Sequence, residues 1–401
     1  MRWNKKHGLL TFVTSFILPQ QNPMGRLLPR YDLRNLVYFV EKLNGALAEE
    51  LRGFNNTFLF DLDQIIATFG RKYFQDDVIW VSNHNGMLSD HDFKYDQDRL
   101  EPPARASTIY GQNVQLVYEA GWNELTAMYR TIKQTDMVKL VVLDIDDTLW
   151  RGVAAERSDH TREAIEGWPI GLVEALGHLK RRGILLALLS KNEEKLVVPI
   201  WERLFGGSIH IDDFAICKIN WKPKADNFAE IIEEANLLPR SVVYIDDNPV
   251  ERAAIRAAFP DVRSFGPNPL LWRRILLWSA ETQVATITKE SASRTEMVRA
   301  QVDRETHRKK LSREDFLASL EVEVGLRELD GVQHPEFTRA LELVNKSNQF
   351  NTTGKRWTKQ EFYTGLANDI RLFIFDVKDR FTSYGIVGGG LSLCIRGRKM
   401  L

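Results

Sequence analysis

Short apolar runs recur through the middle of the chain, and the stretches between them carry apolar residues at helical spacing. Val141 to Trp150 reads VVLDIDDTLW; Gly183 to Leu189 reads GILLALL and ends at Ser190; Ser241 to Ile245 reads SVVYI and ends at Asp246 and Asp247. Helical patterning covers Leu172 to Arg182, Glu193 to Leu204, Ala225 to Ala235 and Val250 to Ala258. Alternating strand and helix predicts a doubly wound α/β domain with a parallel sheet. Right-handed crossovers then set the strand ends bearing Asp144, Ser190 and Asp246 along one edge, and open α/β sheets bind ligands at that edge.

The flanks carry different patterns. Thr11 to Leu18 and Thr57 to Leu62 read as strands and Leu33 to Leu51 as a helix, which predicts a further α/β unit. His84, Asp90, His91 and Asp92 lie close in sequence and read as the polar surface of a loop rather than a metal site. Ser291 to Leu311, charged and free of Pro and Gly, predicts a connecting helix. A last unit opens with REDFLASLEVEV and contains a helical stretch at Glu336 to Asn345, an alternating RLFIFDV run and a glycine-rich GIVGGG segment. That segment lacks the following helix that would aim backbone N–H groups at a phosphate. The parts expected are 1–135, a core at 136–290, a helical linker at 291–311 and a final domain at 312–401.

In an extended chain Asp144 and Asp146 point to the same side, a few ångströms apart. Such carboxylates repel unless a cation sits between them or one takes a proton, and oxygen ligands suit Mg²⁺, which suits a phosphate substrate. One acid can attack phosphorus while the other moves a proton. The plainer alternative is a loop in which Asp and Thr cap the next helix. Ser190 offers a hydroxyl to a phosphoryl oxygen, or else caps a helix beginning at Lys191. Lys222 and Lys224 flank Pro223, and one of them is expected to neutralise the phosphate and the attacking aspartate; Lys224, which opens the next helix, is the favoured one, against ordinary surface lysine. Asp246 and Asp247 complete an oxygen shell for the metal, or simply form a DDNP turn.

DIDDT, LLSKN, WKPK and YIDDNPVER, in this order and spacing, resemble the four motifs of the haloacid dehalogenase superfamily, and more narrowly its FkbH-like branch, subfamily IIIC. The resemblance implies Asp144 as phosphoryl-accepting nucleophile, Asp146 as general acid and base, Thr148, Ser190 and Lys224 as phosphate contacts, and Mg²⁺ held by Asp144, Asp146, Asp246 and Asp247. Trp150 also fits the branch, whereas Asp147 stands where the branch usually has Asn. The same resemblance implies a partial SGNH-hydrolase-like α/β part before the Rossmannoid core, without its GDS nucleophile block. It implies a partial GNAT-like α+β domain after the core, where VNKSNQFNTTGKR from Val344 to Arg356 is family-like and offers Asn345, Asn348, Gln349 and Asn351 as contacts for substrate or carrier, or as a hydrogen-bonded loop. Both terminal units are shorter than the domains they resemble, which suggests a fragment.

Lysine plus arginine equal aspartate plus glutamate at 54 each, so nothing in the charge calls for nucleic acid, and no window reaches transmembrane length. The N-terminal MRWNKKHGLLTFVTSFILPQ sets basic residues before an apolar patch, but Thr and Ser interrupt it and no small-x-small cleavage site follows. Two cysteines, Cys217 and Cys394, form no CxxC and point to the reducing cytoplasm. Cys217 is expected to be a small buried strand residue rather than a thioester-forming thiol. About forty residues separate Thr148 from Ser190, too few for a capping domain, so an uncapped site open to a large partner is expected. The expected activity is Mg²⁺-dependent removal or transfer of phosphate from a phosphorylated acyl or sugar-type substrate. The resemblance adds coupling to the loading of a glyceryl-type unit onto an acyl carrier protein. The alternative is an acyltransferase or carrier-binding module with the core as scaffold.

Overall fold

The computed structural model describes residues 4, 7, 9–19, 22–54, 56–71, 113–156, 161–285, 287, 293–308, 311–331, 333–346, 370–395 and 398–400. The chain forms two compact units, Met1–Lys133 and Gln134–Leu401.

In the first unit β1 (Thr11–Thr14) pairs in parallel with β2 (Thr57–Phe60), Thr11 opposite Thr57. Helix α1 (Leu36–Leu51) begins where the Asn35 side chain accepts from Val37 N, one such cap satisfying a free N–H of the first turn. The second strand stops two residues short of the expected Leu62, because Asp61 caps α2 (Leu62–Phe69) by accepting from Gln64 N. The long α3 (Asn113–Lys133) was not foreseen. The His84 to Asp92 cluster lies outside the described residues.

The second unit opens with the parallel sheet read from the sequence. β3 (Leu140–Leu143), β4 (Leu185–Ser190), β5 (Ile216–Ile219), β6 (Val242–Ile245) and β7 (Arg263–Ser264) run in the order β5-β4-β3-β6-β7. The connecting helices are α4 (Trp168–Arg181), α5 (Glu194–Phe205), α6 (Lys224–Ala235), α7 (Pro249–Ala258) and α8 (Pro269–Trp278). Because successive side chains alternate across a strand, Val141, Leu143, Leu188, Val243 and Ile245 face a core shared with Leu176, Trp201 and Trp272. Leu140, Val142, Ala187, Val242 and Tyr244 face the opposite core with Phe228, Ile231 and Ile255. Both faces are dry, as a parallel sheet requires.

Helix α9 (Arg294–Arg308), set by Val298 and Val302 against the second of these cores, leads through α10 (Arg313–Ser319) to an antiparallel sheet. Its strands β8 (Glu323–Leu329), β9 (Ile370–Lys378), β10 (Ser383–Ile395) and β11 (Arg398–Met400) lie in the order β11-β10-β9-β8. Phe337 and Ala340 of α11 (Phe337–Lys346) pack on Leu329, Leu372 and Ile374. The GIVGGG segment is strand, and it lets the helix sit close: a Cβ on Gly389 would come within 3.1 Å of Val344 Cγ2 and 3.4 Å of Ala340 O, the close approach for which strands keep glycine. Asn348, Gln349 and Asn351 lie outside the described residues, as does the side chain of Asn345. Cys217 is exposed on the edge strand β5, correcting the expectation that it is buried. No helix among the described residues is long and apolar enough to cross a membrane.

Candidate active site

Strand register assembles the site. Leu143 pairs with Ile245, so the next residues, Asp144 and Asp246, leave the sheet side by side, and Asp144 N donates to Ile245 O at 2.9 Å. Ser190, the last residue of β4 on the other side of β3, reaches the same edge. Lys224 begins α6 behind Pro223. A cation at a helix N-terminus opposes the helix dipole, and here two carboxylates offset that: Lys224 Nζ lies 2.6 Å from Asp246 Oδ2 and 3.0 Å from Asp144 Oδ1. All three side chains are buried. Lys222 points away, largely exposed and paired with Glu230 at 3.2 Å.

Asp246 is held from several sides. Tyr244, two residues earlier and hence on the same side of the strand, donates its hydroxyl to Asp246 Oδ2, and Asn248 N donates to Oδ1 at 2.8 Å. Arg252 Nη1 donates to the carbonyls of Asp246 and Asp247. Burial pushes the Asp144 carboxyl up to about 7; Lys224 opposes that rise and Asp246 adds to it. Asp247 is raised by burial and by its acidic neighbours Asp246 and Asp147. The site thus concentrates negative charge that one ammonium does not balance.

Asp146 occupies a different setting. Trp150 Nε1 at 3.0 Å and Ala154 N at 3.1 Å donate to its Oδ1, and Asn192 Nδ2 donates to Oδ2 at 3.0 Å. Trp150 is itself fixed in a buried aromatic group with Trp201 and Phe205, centroids 6.1 and 6.2 Å away. Asp147, at φ 51°, accepts from Gly152 N at 2.7 Å and closes the turn. Thr148 is fully buried, its hydroxyl accepting from Asp247 N at 3.3 Å, so it ties the two acidic turns together. Ser190 caps no helix, since α5 starts at Glu194; the side chain at that turn is Asn192, whose Oδ1 accepts from Glu193 N at 2.9 Å.

Asp144, Asp146, Ser190, Lys224 and Asp247 line one cavity of about 200 Å³, with Lys191 and Glu251, paired at 2.6 Å, on its wall. Between Thr148 and the start of β4 at Leu185 the described residues form the short 3₁₀ turn Arg162–Ile165 and α4. Carboxylate oxygens of Asp144, Asp246 and Asp247 lie within 4.8 Å of one another. Asp144 Oδ1 is buried beside Lys224 without a well-directed hydrogen bond. Clustered oxygen donors of excess negative charge, one of them orphaned, fit a hard divalent cation such as Mg²⁺. The side chain of Asp146 stands outside that group of three.

Residues 170–258, which carry Ser190, Lys224, Asp246 and Asp247, match the haloacid dehalogenase-like hydrolase family. That match runs from α4 to α7 and makes this stretch of the parallel-sheet core similar to a haloacid dehalogenase-like hydrolase domain. No curated protein matches the chain. Among solved structures, the N-terminal part of a Bacteroides fragilis protein, containing a phosphatase domain and complexed with Mg, is 23% identical with a TM-score of 0.46, covering 69% of this chain and 68% of that one. The 3-deoxy-D-manno-octulosonate 8-phosphate phosphatase of Moraxella catarrhalis, solved with magnesium, phosphate and the sugar, is 18% identical with a TM-score of 0.26, covering 39% and 93%. The cobalt-bound form of a deoxy-D-mannose-octulosonate 8-phosphate phosphatase from Haemophilus influenzae is 18% identical with a TM-score of 0.26, covering 46% and 99%.

Sequence reasoning missed Asn192, Trp150 as the partner of Asp146, and Tyr244. Tyr244 was within reach of it, since residues two apart on a strand share a side; the sequence carries no comparable local signal for the Asn192 contact, which joins two loops 46 residues apart.

Proposed function

We propose that the hydrolase domain is a Mg²⁺-dependent phosphatase or phosphotransferase that works through an aspartyl phosphate on Asp144. One observation carries this reading: Asp144 stands at the carboxyl edge of the sheet, 3.0 Å from the Lys224 ammonium, in the same cavity as the hydrogen-bonded carboxyl of Asp146. Asp144, Asp246 and Asp247 hold the cation, which neutralises phosphoryl oxygens when bound. An Asp144 oxygen attacks phosphorus as the bond to the leaving oxygen breaks, and Asp146 gives that oxygen a proton. Water then attacks phosphorus, Asp146 takes its proton, and the bond to Asp144 breaks to release phosphate. Trp150 and Asn192 hold Asp146 in place for both proton transfers. Ser190 and Lys224, on the cavity wall, contact the phosphoryl oxygens, and the Thr148 hydroxyl is a further phosphate contact.

The substrate is a phosphorylated acyl or sugar-type compound. In the finer reading of subfamily IIIC, release is coupled to loading a glyceryl-type unit onto an acyl carrier protein in the cytoplasm, with the small two-stranded α/β part SGNH-like and the antiparallel sheet GNAT-like. The absence of a described insertion above the cavity supports a large partner. The test is Mg²⁺-dependent phosphate release from acyl phosphates, phosphoglycerates and sugar phosphates, with and without a phosphopantetheinylated carrier, for the wild type and Asp144→Asn. Release lost in the variant is the expected result, and a mass gain on the carrier adds the coupling. Full activity in Asp144→Asn overturns the nucleophile.

A further inference from the structure

At the opposite, amino-terminal edge of the parallel sheet lies a cavity of about 940 Å³, far larger than the acidic one. Its wall includes Lys139 before β3, Arg182 before β4, Arg240 before β6, Arg263 in β7 and Arg294 at the start of α9, with Asp136 the one acid among the described lining residues. Helices that connect parallel strands direct their carbonyl ends to this edge, and three of the arginines use part of their donor set on backbone carbonyls there, one of them, Gly183 O, just past the end of α4. Arg182 Nη1 donates to Thr282 O at 3.1 Å, Arg263 Nη2 to Asp136 O at 2.8 Å and Arg294 Nη1 to Gly183 O at 3.0 Å.

Capping alone does not account for this group. A guanidinium has five N–H donors, and each of these bonds engages one nitrogen. Arg263 Nη1 is buried with no hydrogen-bond partner, an orphan of the kind that native proteins rarely keep. None of the five cations forms an ion pair with a described residue. Burial disfavours the charge on Arg182, to which Arg181 adds, and on Arg294. Neutral carbonyls orient Arg182, Arg263 and Arg294, and among the described residues no ion pair offsets their charge, in a space of the size that takes nucleotide-sized ligands.

We infer that this cavity binds an oligophosphate anion, with the guanidinium groups of Arg182, Arg240, Arg263 and Arg294 and the ammonium of Lys139 around its phosphates. Arginine forks favour phosphate oxygens through paired, charge-assisted bonds. The site is separate from the acidic cavity and stands whether or not the proposed catalysis does.

The experiment is calorimetric titration of the full chain in EDTA with inorganic tripolyphosphate, with ATP and with adenosine. Without divalent metal the acidic cavity repels anions, so heat with tripolyphosphate reports the basic one. Saturable one-to-one binding of tripolyphosphate or ATP, weakening as salt rises, is expected. Arg240→Gln combined with Lys139→Gln should weaken it about tenfold or more; both side chains are exposed, so the fold is expected to survive, checked by an unchanged melting transition. Lys191→Gln, on the wall of the acidic cavity, should leave the affinity as it was. ATP binding well above tripolyphosphate assigns a nucleotide, and equal affinities assign the free oligophosphate. No saturable binding of either, or binding indifferent to the double substitution, overturns the inference.

Discussion

Asn192 Nδ2 donates to Asp146 Oδ2 at 3.0 Å, fastening the loop after β3 to the turn that opens α5. The bond selects an orientation for a carboxyl that the proposed chemistry needs as proton donor and acceptor. Asn192→Ala should therefore lower kcat by about tenfold or more, a part of the ~10²–10⁴ that general acid–base catalysis supplies, with KM little changed. Steady-state kinetics check the split, and an equal fall of activity and melting temperature would point to folding instead.

Lys224 is the only ammonium touching both Asp144 and Asp246 among the described residues. Lys224→Met leaves two buried carboxylates facing each other, and removal of one member of a buried charge group costs about 3–5 kcal/mol. Lys222→Met, at an exposed pair, should change stability by less than about 1 kcal/mol. Urea unfolding of both metal-free variants makes the comparison. Adding Asp246→Asn to Lys224→Met should recover part of the loss.

Asp247 contributes an exposed oxygen to the three-carboxylate group. Mg²⁺ should raise the melting temperature of the wild type, because a ligand that binds only the native state stabilises it by about 2.7 kcal/mol at a hundred times Kd. Asp247→Asn should shrink that rise and Asp144→Asn should shrink it further, read by calorimetry with matched ionic strength. An equal rise in all three proteins would remove the metal from this group.

Asp379 joins α9 to the turn between β9 and β10. Burial would raise its carboxyl, but the Tyr384 hydroxyl, the backbone N–H groups of Thr382 and Phe381, and Arg304 at 2.9 Å together hold it below the usual carboxylate value. A carboxyl depressed on folding adds stability above its unfolded value, and that stability is lost as pH falls through its folded one. Unfolding free energy should therefore drop as pH falls below about 4, the unfolded range for Asp. Asp379→Asn should be less stable at neutral pH and flatter in acid. A variant with the wild-type acid slope would show that other groups set it.

The acids were legible because each follows an apolar run closely enough for its position to be a local matter: Asp144 one residue after Leu143, Asp246 one after Ile245. Lys224 was favoured from its place at a helix start; α6 begins with it, and its ammonium lies 3.0 Å from Asp144 and 2.6 Å from Asp246. The setting of Asp146 was not legible. Trp150 lies four residues away across a turn whose closure depends on Asp147 in the left-handed region, and Asn192 comes from another crossover. Cys217 misled because an apolar strand pattern does not tell an edge strand from a central one; β5 has a neighbour on one side only.

By itself the sequence determined the alternation of strand and helix, the parallel core and the acids that emerge at its carboxyl edge. These depend on side-chain periodicity and on residues adjacent in the chain, so short-range physics suffices. Only the tertiary structure decided that Asp144 stands beside Asp246, that Lys224 rather than Lys222 turns inward, and that Tyr244, Trp150 and Asn192 serve the acids. It alone gathered the arginines at the far edge of the sheet. Those relationships follow strand order and register, which join residues tens of positions apart through contacts that no local pattern encodes.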